Sequence, residues 1–330
     1  MPKGYQHLTH DLRCQIYALK RSGLSQNKIA KQLGVDQSTI SKELRRNAGK
    51  RGYRYKQAHE KAMQRRHDAS SIASKMTPDF IPFVELLIRK NKMSPEQISG
   101  RLRKSHNISI SHESIYRHVW RDKKEGGNLY GNLRQRGKKR NKRGRKNAGR
   151  GLIPNRIGIE FRPAEVATKQ RVGDWEGDTI VGKDHRGAIV SMVERKTKLV
   201  RLKLIPAATA QETTKATISI LDPFKKHVLT ITTDNGKEFS GHKDIADALD
   251  AQIYFANPYH SWERGLNENT NGLVRQFFPK KTDFTKLTHE QVREVEDNLN
   301  NRPRKMLKFR TPNEEFLHLA GIVPGYALRC

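Results

Sequence analysis

Leu8, Leu12, Ile16 and Leu19 recur at intervals of four, four and three, the spacing of one face of an amphipathic helix, and Gly23 follows as its stop. The next stretch, "LSQNKIAKQLGVDQSTISKELRRN", predicts a short helix from about Ser25 that breaks at Gly34. A second begins behind Asp36 as N-cap and turns Ile40 and Leu44 inward. Two short helices joined by a tight Gly-containing turn, with the small Ala30 where they approach, make a helix-turn-helix pattern. In "MSPEQISGRLRKSHNISISHESIYRHVWRD", Ser94, Pro95 and Gln97 take the N-cap, N1 and N3 places of a capping box. A further helix is expected from near Ser111 with Ile115, Val119 and Trp120 buried, giving a second pair with a longer turn.

Between Arg121 and Gly151 apolar residues nearly vanish, and "RQRGKKRNKRGRKNAGRG" is a basic segment with no face to bury. Beyond it the period changes. "DTIVG", "GAIVSMVE" and "LVRLKLI" are short runs split by turn-rich "KDHRG" and "RKTK", which predicts a three-stranded antiparallel meander. "TAQETTKATISILDPF" reads as a helix, "HVLTITTD" as a buried strand, "HKDIADALDA" as a helix and "QIYFAN" as a last strand. One sheet covered by helices is the economical solution, and this order is the one the ribonuclease H fold uses. The expected layout is multidomain: an all-α helix-turn-helix region at 1–50, a second helical domain at 51–120, a basic linker at 121–165, and an α/β ribonuclease H-like domain with a C-terminal helix at 166–330.

Charge adds a partner to this layout. The chain has 65 Lys and Arg against 34 Asp and Glu, a net +31, which is the footprint of a polyanion. Residues 1–150 carry 37 basic and 11 acidic side chains, so most of the excess sits on the helical half. Double-stranded DNA is the partner expected, with Gln37, Ser38, Thr39, Lys42, Arg45 and Arg46 on the outer side of the second helix to meet bases and phosphates. An ordinary helical hairpin with a solvated basic face is the bland alternative. No apolar run approaches the roughly 18 residues of a spanning helix and the start lacks a signal-peptide core, so no membrane role and a cytoplasmic location are expected. Cys14 and Cys330 are too few and too distant for a disulfide framework or a Cys-ligated zinc site.

Three carboxylates stand out by position. Asp178 is expected at the start of the first strand, Asp234 closes the fourth in "TITTDNGKEF", and Glu268 lies near the start of a helix in "SWERGLNENTNGLVRQFFPK". If the first and fourth strands are neighbours, the three can meet at the sheet edge, where their repulsion calls for cations. Oxygen ligands of this kind suit Mg²⁺ or Mn²⁺, and two ions at roughly 4 Å can clamp the attacking and leaving oxygens of a phosphodiester. Asp234 before Asn235 and Gly236 also reads as a plain turn, and Asp174, Glu176 and Glu263 compete for the same roles.

"WEGDTIVG", "DNGKEF" and "WERGLNENTNGLVRQFFPK" resemble the signature blocks of the insertion sequence 30 family of bacterial transposases, within the DDE transposase and retroviral integrase group. The 33 residues between Asp234 and Glu268 match that family's motif, and the likeness extends to "NNRPRKMLKFRTPNEEF" and the N-terminal helices. The resemblance implies Asp178, Asp234 and Glu268 as a metal-binding catalytic triad, with Arg275, seven residues after Glu268, holding the DNA backbone. It implies recognition of an element's terminal inverted repeats, metal-dependent strand cleavage and strand transfer, and a homo-oligomer on DNA. A DNA-binding transcriptional regulator with an inactive ribonuclease H-like domain is the rival reading.

Overall fold

Thr9 opens the first helix, α1 (His10–Arg21), by accepting from the Leu12 amide at 3.2 Å. Helix α2 (Gln26–Leu33) ends at Gly34, whose φ of 63° is the left-handed conformation that a tight turn asks of glycine. Asp36 then occupies the N-cap of α3 (Gln37–Asn47). Ile16, Ile29, Ala30, Ile40 and Leu44 bury together against Tyr53 and Ala58. Arg13 crosses this core to Glu43 at 2.8 Å, and Tyr53 donates to the same carboxylate at 3.1 Å. Burial, and then the Glu43 charge, hold the Tyr53 hydroxyl well above the usual tyrosine range. Helix α4 (Tyr55–Ile72) packs on α1 and α3.

The computed structural model describes residues 7–72, 76–134, 153–257 and 264–321. The chain forms two compact units, 1–77 and 78–330. The division groups α4 with the first three helices, and it groups α5 (Ile81–Arg89), α6 (Pro95–His106) and α7 (His112–Lys124) with the sheet. Ser94 and Gln97 form the capping box of α6, as their spacing predicts. Ile115 and Val119 are buried in α7, but Trp120 is 46% exposed with the Lys123 ammonium 5.4 Å from its ring centre. An amphipathic ring beside a cation tolerates water, so the apolar count overstated that face. Arg101 of α6 reaches Glu314 at 2.7 Å, and Arg302 donates to the Asn91 carbonyl at 2.8 Å, joining these helices to the C-terminal segment. Most of the basic stretch, 135–152, lies outside the described residues, as does Cys330.

A short helix, α8 (Ala164–Thr168), leads into the sheet. Strands β1 (Asp174–Val181), β2 (Ala188–Glu194) and β3 (Val200–Ile205) form the antiparallel meander read from the sequence. Helix α9 (Ala210–Leu221) crosses over to β4 (Thr230–Thr233), and α10 (His242–Leu249) to β5 (Gln252–Phe255). The order is β3-β2-β1-β4-β5, with β4 parallel to β1 and β5 parallel to β4. Helices α11 (Gly265–Val274), α12 (His289–Asn300) and α13 (Pro312–Ala320) complete the described chain.

Both faces of β2 are covered, which explains its unbroken apolar run. Val190 and Met192 face the cluster built with Ile220, Phe224 and Phe316, while Ile189 and Val193 face Leu273, Val295 and Leu299. The edge strand β3 is protected by α12. The Asn300 amide group donates to the Val200 carbonyl and accepts from its N–H, and Glu296 accepts from the Leu202 amide. This sandwich of helices about a mixed sheet is a ribonuclease H-like domain. Among the described residues no helix is long and apolar enough to cross a membrane.

Candidate active site

β1 begins four residues before the expected Asp178, because its first acidic side chains are neutralised inside the protein. Asp174 is fully buried, bonded by Arg171 at 3.0 and 3.1 Å and by the Thr230 hydroxyl at 2.7 Å. Glu176, also buried, lies 3.3 Å from Arg195 and accepts from the Asn267 amide at 3.2 Å. These two competitors are held by internal partners. Glu263 lies outside the described residues.

Asp178 therefore stands in the middle of β1. The parallel register pairs Glu176 with Thr232, and two residues further on it sets Asp178 opposite Asp234, the first residue past β4. Asp234 does make the turn: its Oδ1 accepts from the Gly236 amide at 2.9 Å. The neighbouring Asn235 is buried, donates to the Ala256 carbonyl at 2.6 Å and accepts from Arg156. Gly177 lets strands pack closely here, since a Cβ on it would lie 2.9 Å from the Met192 sulfur and 3.2 Å from Thr233.

One guanidinium spans the two aspartates. Arg264 sets Nη1 3.8 Å from Asp178 and Nη2 3.6 Å from Asp234, and it donates to the Gly177 carbonyl at 2.8 Å. Asp178 also accepts from the Thr179 amide at 3.0 Å and the Asn271 side chain at 2.7 Å. Burial pushes the Asp178 carboxyl up to about 6; Asp234 adds to the rise, and Arg264 with the hydrogen bonds opposes it. Sequence reasoning missed Arg264, although an arginine just before the helix that carries Glu268 was a signal. Asn271 bridges Asp178 and the Ser191 hydroxyl.

Glu268 is exposed in the first turn of α11, three residues before Asn271 and so on a neighbouring part of the same helix surface. Among the described residues no three His, Cys, Asp or Glu side chains group closely enough to hold a metal ion. The structure thus joins Asp178 to Asp234 and leaves Glu268 outside the pair. Arg275 turns inward, donating to the Val181 carbonyl at 2.7 Å and lying 5.3 Å from the Phe284 ring centre. On α3, Gln37, Ser38, Lys42, Arg45 and Arg46 are exposed and Thr39 is half-buried, as an outward reading face requires.

The chain is 44% identical to the transposase for insertion sequence element IS4351 of Bacteroides fragilis, over 94% of this chain and 95% of that one. It is 34% identical to the transposase InsI for insertion sequence element IS30A of Escherichia coli, over 94% of this chain and 84% of the relative. The chain belongs to the insertion sequence 30 family of bacterial transposases. Another relative, the transposase for IS1086 of Cupriavidus metallidurans, is 34% identical over 93% of both chains. Residues 4–47 of this transposase match the model of a helix-turn-helix domain, which spans α1 to α3. Among solved structures, the catalytic core domain of BIV integrase aligns with 46% of the transposase and 97% of its own chain, at 21% identity and a TM-score of 0.37.

Proposed function

We propose that this transposase binds the terminal inverted repeats of its own element and uses Asp178, Asp234 and Glu268 to cut a strand at the element's end and join it to target DNA. The observation that carries the reading is the pair of aspartates on adjacent parallel strands sharing one cation, the Arg264 guanidinium. Donors and charge fit a metal. The two carboxylates are hard oxygen ligands, and they already lie against a positive charge. Asp178 and Asp234 would hold the divalent cations, two Mg²⁺ or Mn²⁺ ions, with Glu268 joining from α11. Such ions, when bound, activate the attacking oxygen and neutralise charge on the departing one.

The protein's own part is positioning. The Thr179 amide and Asn271 fix one carboxylate and the Gly236 amide the other, so neither must reorganise during reaction. Bond exchange at phosphorus then needs only water or a 3′-hydroxyl in line with the leaving oxygen. Gln37, Ser38, Thr39, Lys42, Arg45 and Arg46 would meet the element end, and Arg275 would brace the floor of the site while adding positive potential for the backbone. Two ends must meet in one complex, so a homo-oligomer on DNA is expected, acting in the cytoplasm.

A strand-transfer assay with labelled element ends tests this. Asp234→Asn should bind end DNA as the wild type does and lose Mg²⁺-dependent cleavage and joining by at least about a hundredfold. Joining at the normal rate by that variant would remove the triad assignment, whereas a wild type that binds end DNA and never joins it would favour a regulator with an inactive catalytic fold.

A further inference from the structure

Beside the aspartates, a cavity of about 370 Å³ opens against the first turns of α11. Lys169, Arg195, Lys198 and Arg304 line it, and Glu176 is the single carboxylate among its lining residues. That carboxylate is already engaged by Arg195 and by the Asn267 amide. Arg195 is 4% exposed; its Nε lies 3.3 Å from the Glu176 carboxylate, and its Nη1 has no hydrogen-bond partner. Arg304 donates one amino group to the Leu299 carbonyl at 3.1 Å, but its Nε also lacks a partner. Buried guanidinium N–H groups are costly to leave unpaired, and four cations around one committed carboxylate form a deficit of negative charge.

Further features have the same sign. Burial, with Lys169 and then Arg195 nearby, pushes the Lys198 ammonium down to about 8 against the opposing Glu194 and Glu176 carboxylates. Burial and the Arg134 guanidinium bring Arg304 down to about 10. Gly265 and Leu266, at the start of the ten-residue α11, also line the cavity, where a helix presents unpaired amides and a positive dipole end. From Lys169, Lys198 and Met306, which both cavities share, a second hollow of about 480 Å³ leads past Lys104, Lys196 and Lys308. A closed pocket would suit a free anion, whereas a basic track leading out of it suits a polymer of phosphates.

We propose that this cavity seats a phosphodiester of the DNA strand lying across Asp178 and Asp234, with Arg195 and Lys198 as its principal donors. Glu176 and Asp178 are two residues apart on one face of β1, about 7 Å, so neighbouring nucleotides of one strand can occupy the carboxylate pair and the cavity together. The contact is to backbone and carries no sequence information; it fixes the strand's register at the reaction centre. This rests on the function proposed above, and the two can fail separately.

The test uses the full chain in EDTA, so that no cleavage occurs, and follows fluorescence anisotropy of a labelled element-end duplex across a salt series. Lys169→Gln with Lys198→Gln should weaken binding about tenfold at moderate salt and lower the slope of log affinity against log salt by one to two, since each phosphate contact contributes about 0.9. A random duplex should show the same fall in slope. Lys225→Gln with Lys226→Gln, on the far side of the sheet domain, should behave as the wild type. A pocket variant indistinguishable from that control overturns the proposal. So does a thermal shift with inorganic phosphate that the pocket variant abolishes while its DNA slope stays unchanged, because the site would then hold a free anion. Should the double variant melt early, Lys169→Gln alone, at an exposed position, should still lower the slope by about 0.9. A wild type that binds with the full slope and never cuts with Mg²⁺ would refute the proposed function and leave the phosphate seat standing.

Discussion

Asp234 turns the chain and offers a carboxylate at once: Oδ1 takes the Gly236 amide while Oδ2 faces Arg264. The same guanidinium lies against Asp178, so in this form an arginine supplies the positive charge that two facing aspartates need. A divalent ion and Arg264 would compete for one place. Arg264→Gln is therefore expected to lower the melting temperature in EDTA, where the aspartates lose their cation, and to bind Mn²⁺ about tenfold more tightly, a gain near 1.4 kcal/mol. Titration calorimetry and melts with and without Mn²⁺ read both effects. Unchanged Mn²⁺ affinity would mean that the guanidinium does not hold the ion's place.

At the scale of elements, the helix-turn-helix, the capping box at Ser94 and the β-meander were legible because each rests on local spacing and turn residues. The start of β1 was not. "DWEG" reads as polar, and Asp174 and Glu176 become buriable through Arg171 just before the strand and through Thr230, Arg195 and the Asn267 amide, which lie outside β1 and further along the chain. The pairing of Asp178 with Asp234 followed from strand order, but Arg264 between them depends on how α11 meets β1. The packing of α12 on β3 was equally hidden. Glu296 there lies 2.6 Å from Arg201, yet burial raises its carboxyl to about 7 from an ordinary 4.5, with Arg201 and the Leu202 amide opposing. Because the folded pKa is the higher one, the native state holds a proton that the unfolded chain has released. That contribution is fully present below about pH 4.5 and is lost as pH rises through about 7, on the order of 3 kcal/mol at most. Glu296→Gln removes this dependence. Its melting temperature should gain on the wild type between pH 5 and pH 8, after a constant loss for the broken pair with Arg201. A difference that moves the other way would show the ion pair outweighing burial.

Across the whole molecule, the helix-turn-helix and the aspartate pair lie in units with separate cores. The first unit closes around Ile16, Ile29, Ile40 and Leu44 and spans Arg13 to Glu43 within its own residues. The second carries the sheet, both aspartates and the basic cavity. The boundary falls at 77/78, and α5 to α7 lie on the catalytic side. Their ties to the C-terminal segment include a tight approach of α6, where a Cβ on Gly100 would sit 2.2 Å from the Phe309 ring. Sequence discrimination and catalysis should therefore come apart on deletion. A chain of residues 78–330 is expected to keep salt-sensitive binding to any duplex and some Mg²⁺-dependent nicking, because its sheet and phosphate-facing cations are intact. Its preference for element ends over random DNA should fall to within about threefold, since specific readers owe several kcal/mol to base contacts that leave with α3. Competition binding with end and random duplexes measures that ratio. Full end preference in the shortened chain would shift the reading of the ends from α3 to α6 and α7, whose exposed residues would then be the next to substitute.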